Sequence, residues 1–128
     1  MLAAAMVLAG LAALVHVYIF WLESVVWMRP ATRRVFRIAS EDDARTTRAL
    51  AYNQGFYNLF LAVVTVVGIV LLATGSTPAG AALVYAGSGS MVAAALVLVS
   101  GSRAYARAAA IQGTLPLLAV VALTAAVV

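Results

Sequence analysis

The sequence contains no cysteine and no lysine, a single histidine, and four acidic residues among 128. Each shortage removes a class of chemistry. Without cysteine there are no disulfides, no thiolate nucleophile and no thiolate-ligated metal. One histidine cannot build a multi-histidine metal site within one chain, and no motif calls for a cofactor. Charged residues make up only 9% of the chain, against about 25% in an average soluble domain.

What fills the chain instead is apolar. Apolar residues reach 66% and the mean hydropathy is +1.08, where soluble domains average about 45–50% apolar. A water-soluble fold cannot hide that much apolar surface. A soluble enzyme, a nucleic-acid binder and a disordered chain are excluded, which leaves an integral membrane protein of one small domain, residues 1–128. The net charge of +4 does not point to nucleic acid. Its arginines sit beside apolar segments, where they set membrane orientation.

A transmembrane helix needs about 20 mostly apolar residues. Four stretches qualify, and the pattern predicts helices over about 2–28, 40–73, 79–100 and 108–127. The fold class expected is all-α: an integral membrane four-helix bundle with short loops. The first stretch lacks a basic leading region and carries its positive flank at its C-terminal end, so a spanning helix is expected there, not a cleavable signal. Only the segment from Arg29 to Arg48 is a long connection. Ser40 is placed to cap the second helix, with Glu41, Asp42 and Asp43 in its first turn and Glu41 and Arg45 spaced i,i+4. Residues 30–38 mix arginines with Val35, Phe36 and Ile38, and read equally well as a headgroup-surface segment or a solvated loop.

Arginine also sets the orientation. The first loop carries Arg29, Arg33, Arg34, Arg37, Arg45 and Arg48, the third Arg103 and Arg107, and the second loop and both tails none. The positive-inside rule puts the first and third loops in the cytoplasm and both termini outside. The expected location is the bacterial cytoplasmic membrane, as a multi-pass protein.

A few polar residues interrupt the apolar spans: His16 and Glu23, then Asn53, Gln54 and Asn58, then Gln112. A charge at the bilayer centre costs at least about 2.5–3.5 kcal/mol, so such groups face the interior and find partners. Counted from Arg29, Arg48 and Arg107 at 1.5 Å per residue, Glu23, Asn53, Gln54 and Gln112 all fall about 7–9 Å deep. Asn58 falls about 15 Å deep and His16 about 20 Å. His16, Phe20, Glu23 and Trp27 form one helical stripe, Gln54 and Asn58 are i,i+4 neighbours, and so are Asn53 and Tyr57. His16 and Glu23 are about 10 Å apart along the axis, which requires a bridge through Asn58, Tyr57 or water. The candidate substrate- or ion-binding set is therefore Glu23, His16, Asn53, Gln54, Tyr57, Asn58 and Gln112. Each has a plainer role as interhelical glue, worth about 0.6–2 kcal/mol per bond; an intramembrane acid is the one whose default reading is functional. Gly55, and Gly80, Gly87, Ser88, Gly89 and Ser90 on the third helix, mark where helices touch closely, within the chain or in a homodimer, or where a substrate passes. Gly113 and Pro116 loosen the fourth helix beside Gln112.

Three strings carry a likeness. His16-Val-Tyr-Ile-Phe-Trp-Leu-Glu23, Asn53-Gln-Gly-Phe-Tyr-Asn-Leu-Phe-Leu-Ala62 and Ile111-Gln112-Gly113 resemble the signature blocks of a bacterial family of small four-helix membrane proteins, domain of unknown function 1304. The resemblance implies four helices in the cytoplasmic membrane and no assigned activity.

Three functions fit this pattern. One is a small-molecule or cation binder or transporter with Glu23 at its centre, with or without proton coupling. The second is a structural or accessory subunit. The third is a membrane enzyme using His16 and Glu23 as acid and base on a lipophilic substrate. The partners suggested are membrane lipids, a small ligand and a second copy of the chain. The orientation is directly testable: a reporter fused after Val128 is expected to read as periplasmic, and cytoplasmic reporter activity there would contradict it.

Overall fold

A computed structural model describes residues 1–128. The chain is helical with no strand. The elements are α1 (Leu2–Phe20), running into a π-helical turn (Trp21–Val25), then α2 (Pro30–Val35), α3 (Glu41–Ala73), α4 (Thr77–Gly101), a short 3₁₀ turn (Arg103–Tyr105) and α5 (Ala106–Val127). Four segments are long and apolar enough to cross a membrane: Leu2–Val25, Glu41–Ala73, Thr77–Gly101 and Arg103–Val127.

The first helix stops at Val25, three residues short of the Met28 that the hydropathy pattern predicts. The cause is local. Arg29 precedes Pro30, and a residue before proline is driven out of the helical region. Arg29 is extended (φ −68°, ψ 141°) and Pro30 opens α2. The residues between close a turn in which the Arg29 amide donates to the Val26 carbonyl at 3.0 Å. Residues 30–38, read from sequence as a surface segment or a loop, begin as this short helix. It ends at Val35, and Arg37, just past the cap, takes a left-handed φ of 55°. The Ile38 amide reaches back to Arg33 O and the Arg37 amide to Arg34 O, the paired bonds of a Schellman end.

At the start of α3 the Asp43 amide donates to Ser40 Oγ at 3.0 Å, and Arg45 pairs with Glu41 at 3.0 Å. A second Schellman end closes α3. Gly75 has φ 91°, and the Ser76 and Gly75 amides donate to Leu71 O and Leu72 O.

The chain falls into two compact units, residues 16–60 and residues 1–15 with 61–128. In the second of these, small residues bring helices together. Ala5, Ala9, Leu72, Ala81, Val84, Ala119, Ala122 and Leu123 form its core. A Cβ at Gly68 would lie 2.8 Å from Val84 N, and one at Gly80 would lie 2.6 Å from Leu72 N. The backbones of α3 and α4 therefore touch, which glycine alone permits. Gly87, two turns on from Gly80, lies against Thr65, whereas a Cβ at Gly89 would meet nothing within 4 Å. Between α4 and α5, the Tyr85 and Thr124 hydroxyls share a hydrogen bond of 3.0 Å.

These contacts separate the glycines into two groups. Gly80→Ala is expected to destabilise the protein by about 1–3 kcal/mol, the usual cost of forcing atoms into a packed site. Gly89→Ala is expected to be neutral or stabilising by up to about 1 kcal/mol. Thermal unfolding of the two variants in detergent would check the split, and equal effects would contradict the assigned contacts.

Candidate functional site

Within unit 16–60, Ser24 and Glu23 meet Tyr52 and Asn58 on one face of α3. The first helix and the turn that follows it run antiparallel to α3, joined by three side-chain hydrogen bonds. Trp27 Nε1 donates to Ala44 O at 2.9 Å, Ser24 Oγ to Tyr52 O at 2.8 Å, and Asn58 Nδ2 to Glu23 Oε2 at 2.9 Å. The close approach is made at Gly55. A Cβ there would collide with Ser24 Oγ and lie 3.1 Å from both Glu23 Cβ and Phe20 O. Tyr52, Gly55 and Asn58 are spaced by three, so they form one stripe of α3. Above them Phe20 packs edge-on against Phe56, with ring centroids 5.1 Å apart.

Glu23 sits in the π-helical turn. A π turn inserts one extra residue into the helix, displaces the backbone hydrogen-bond pattern and is found disproportionately at functional sites. Here it occupies the last turn before the chain breaks. Glu23 is 9% exposed, and its one hydrogen bond is the one from Asn58. The same Asn58 amide group donates to Gln54 O at 3.2 Å, which holds its rotamer against α3.

Glu23 also borders a partly open cavity of about 220 Å³. Glu23 and Ser24 lie in its wall with Trp27 and Tyr52, and Arg29 and Arg48 line it as well. The Arg29 guanidinium carbon lies over the Trp21 ring, 5.9 Å from its centroid. Neither arginine is paired with a carboxylate, because the one ion pair of the chain is Arg45–Glu41.

The other residues singled out from the sequence are placed differently. Asn53, Gln54 and Tyr57 are exposed on α3, and Tyr57 is 56% exposed. His16 is buried at 1% exposure and does not line the cavity. Gln112 is half-buried on α5, in the other unit. The residues that sequence reasoning missed are Ser24, Arg29, Arg48 and Tyr52. A signal existed for two of them: Ser24 is the polar neighbour of Glu23, and Tyr52 lies three residues before Gly55. No group of three or more histidine and acidic side chains is placed to hold a metal ion.

The model of a family described as "Protein of unknown function (DUF1304)" matches residues 10–124. The match covers most of the chain, and the chain belongs to that family. Comparison with curated proteins and with solved structures gives no match.

The hydrogen bond between Glu23 and Asn58 is measurable as a coupling. Removing one partner leaves the other stranded at a cost of about 1–3 kcal/mol, whereas removing both is far milder. Asn58→Leu and Glu23→Leu are each expected to lower stability, with a double-mutant coupling above about 0.6 kcal/mol. Asn53→Leu and Gln54→Leu should show no coupling to Glu23. A coupling of Glu23 to Asn53 in place of Asn58 would overturn the register.

Proposed function

We propose that this member of the DUF1304 family is a small membrane protein that binds a small polar molecule or ion at Glu23, as a binding or transport protein. The observation that carries the reading is the coincidence of three features at one residue. Glu23 lies in a π turn, its carboxyl is buried with a single protein partner, and it walls a cavity. A residue serving only as interhelical glue needs the hydrogen bond and nothing more. It needs neither a distorted helix nor an adjoining chamber. The carboxyl can exchange a proton for a cationic group of the ligand, which gives a route to proton coupling in transport. His16 is not in the cavity wall, so acid–base catalysis by the pair is less well supported than binding.

Orientation follows the arginines. With Arg29 and Arg48 on the cytoplasmic side by the positive-inside rule, the cavity opens towards the cytoplasm.

A ligand at about 100 times its dissociation constant stabilises a protein by about 2.7 kcal/mol. Thermal unfolding of the detergent-purified chain against sodium, potassium, ammonium, ethanolamine, acetate, phosphate and glycine tests the reading. At least one should raise the unfolding midpoint of the wild type and leave Glu23→Gln unmoved. If none discriminates between the two, Glu23 is not a ligand site.

A further inference from the structure

We infer that the ligand of this cavity is a small zwitterion, its ammonium group held at Glu23 and its anionic group held by Arg29 and Arg48. The inference rests on the reading of Glu23 as a ligand site and adds the charge pattern of the ligand. The cavity wall carries one acid and two bases. They are segregated along the chain. Glu23 is inside the helical turn, and Arg29 lies beyond the helix end, in the break. Along α3 the same order appears: Asn58, Gly55 and Tyr52 accompany Glu23, and Arg48 follows one turn nearer the helix start.

Each half of the ligand has a prepared partner. Asn58 occupies only Oε2 of Glu23, which leaves Oε1 for an ammonium donor. Ser24 Oγ spends its proton on Tyr52 O and keeps its lone pairs, so it accepts a second ammonium hydrogen. Arg29 lies over the Trp21 ring, its Cζ 5.9 Å from the ring centroid, a cation–π contact that uses none of its N–H donors in an ion pair. Arg48 has no carboxylate partner, and two guanidinium groups suit a carboxylate or phosphate.

Simple ions match the wall poorly. A bare cation would meet two uncompensated guanidinium groups, and a bare anion would meet the Glu23 carboxylate, so like charge disfavours either alone. A molecule carrying both charges satisfies both ends. The size agrees. A volume near 220 Å³ is below the roughly 300–1,000 Å³ of drug-sized sites, so it takes a metabolite-sized molecule. The same ammonium–phosphate chemistry occurs in a free phosphorylated amine and in an ethanolamine lipid headgroup.

The test uses the full chain in maltoside micelles, free of ethanolamine lipid, and reads tryptophan fluorescence. Trp27 lines the cavity and the chain has two tryptophans. Phosphoethanolamine, ethanolamine and inorganic phosphate are the probes. Phosphoethanolamine is expected to bind at least about tenfold tighter than either half, a difference of about 1.4 kcal/mol. Glu23→Gln, which keeps the oxygen that accepts from Asn58, should reduce its affinity to that of phosphate. The double variant Arg29→Gln/Arg48→Gln, altered only at exposed side chains, should reduce it to that of ethanolamine. Displacement of the probe by added ethanolamine lipid would support the same chemistry with the headgroup as its source, and its failure to displace would support the free molecule. Ethanolamine or phosphate binding as tightly as phosphoethanolamine, with dependence on Glu23, would overturn the zwitterion and leave the Glu23 site standing. Absence of any Glu23-dependent binding among the three would overturn the zwitterion as well, and if the wider ion panel also fails to discriminate, the site itself falls.

Discussion

A carboxyl group inside an apolar helix must find its hydrogen-bond partner within the protein, because hydrocarbon supplies none. In this chain Glu23 finds Asn58, across an interval of 35 residues. That requirement organises the whole of unit 16–60. To bring the two side chains together, the first helix must approach α3 closely, and Gly55 removes the Cβ that would block it. Once the backbones are near, Ser24 and Trp27 reach the α3 backbone carbonyls of Tyr52 and Ala44. Those two bonds satisfy polar groups that an apolar setting would otherwise leave costly and exposed. The other unit packs mainly through small residues, with backbone contact at Gly68 and Gly80 and one side-chain hydrogen bond between Tyr85 and Thr124.

The same region is where regular helix gives way. Trp21–Val25 winds as a π turn, the chain breaks, and Pro30 starts afresh. A break beside a buried acid has two consequences. It ends the helix just beyond Glu23, and it brings Arg29 alongside the same cavity as Arg48. An acid and two bases thereby share one small chamber without forming an ion pair with one another, since Arg45–Glu41 is the one pair in the chain. Charges kept apart in this way are available to a third party.

Much of this was legible from residue patterns. Ser40 reads as a cap because a hydroxyl before three acids is what an exposed helix start requires, and the Asp43 amide does donate to it. The four long apolar helices follow from length and hydropathy alone. The choice of partner for Glu23 was harder. Counting Cα depth from the arginine flanks puts Glu23 level with Asn53 and Gln54, yet the bond is to Asn58, four to five residues further along α3. Side chains lean towards the N-terminus of their own helix. The first helix and α3 are antiparallel, so Glu23 leans away from the arginines, and Asn58 leans back towards them, and they meet between. Facing agrees with this, because Asn58 shares a stripe with Gly55 and Tyr52, whereas Asn53, Gln54 and Tyr57 fall outside it. The π turn and the arginine-lined cavity left no mark in hydrophobic periodicity. Both depend on how the chain breaks before Pro30, which a count of apolar residues carries straight through to Met28.

Arg29 and Arg48 line the same cavity as Ser24 and Glu23, so its access and its charge are measurable at position 24. The chain has no cysteine of its own, so a single introduced one reports unambiguously. Ser24→Cys keeps the size of the side chain and places a thiol in the cavity wall. In membranes, an anionic sulfonate-bearing thiosulfonate reagent should modify it faster than an ammonium-bearing one. The preference should vanish when Arg29 and Arg48 are both changed to glutamine. A thiol at position 24 that neither reagent reaches, or that the cationic reagent modifies faster, would contradict the account.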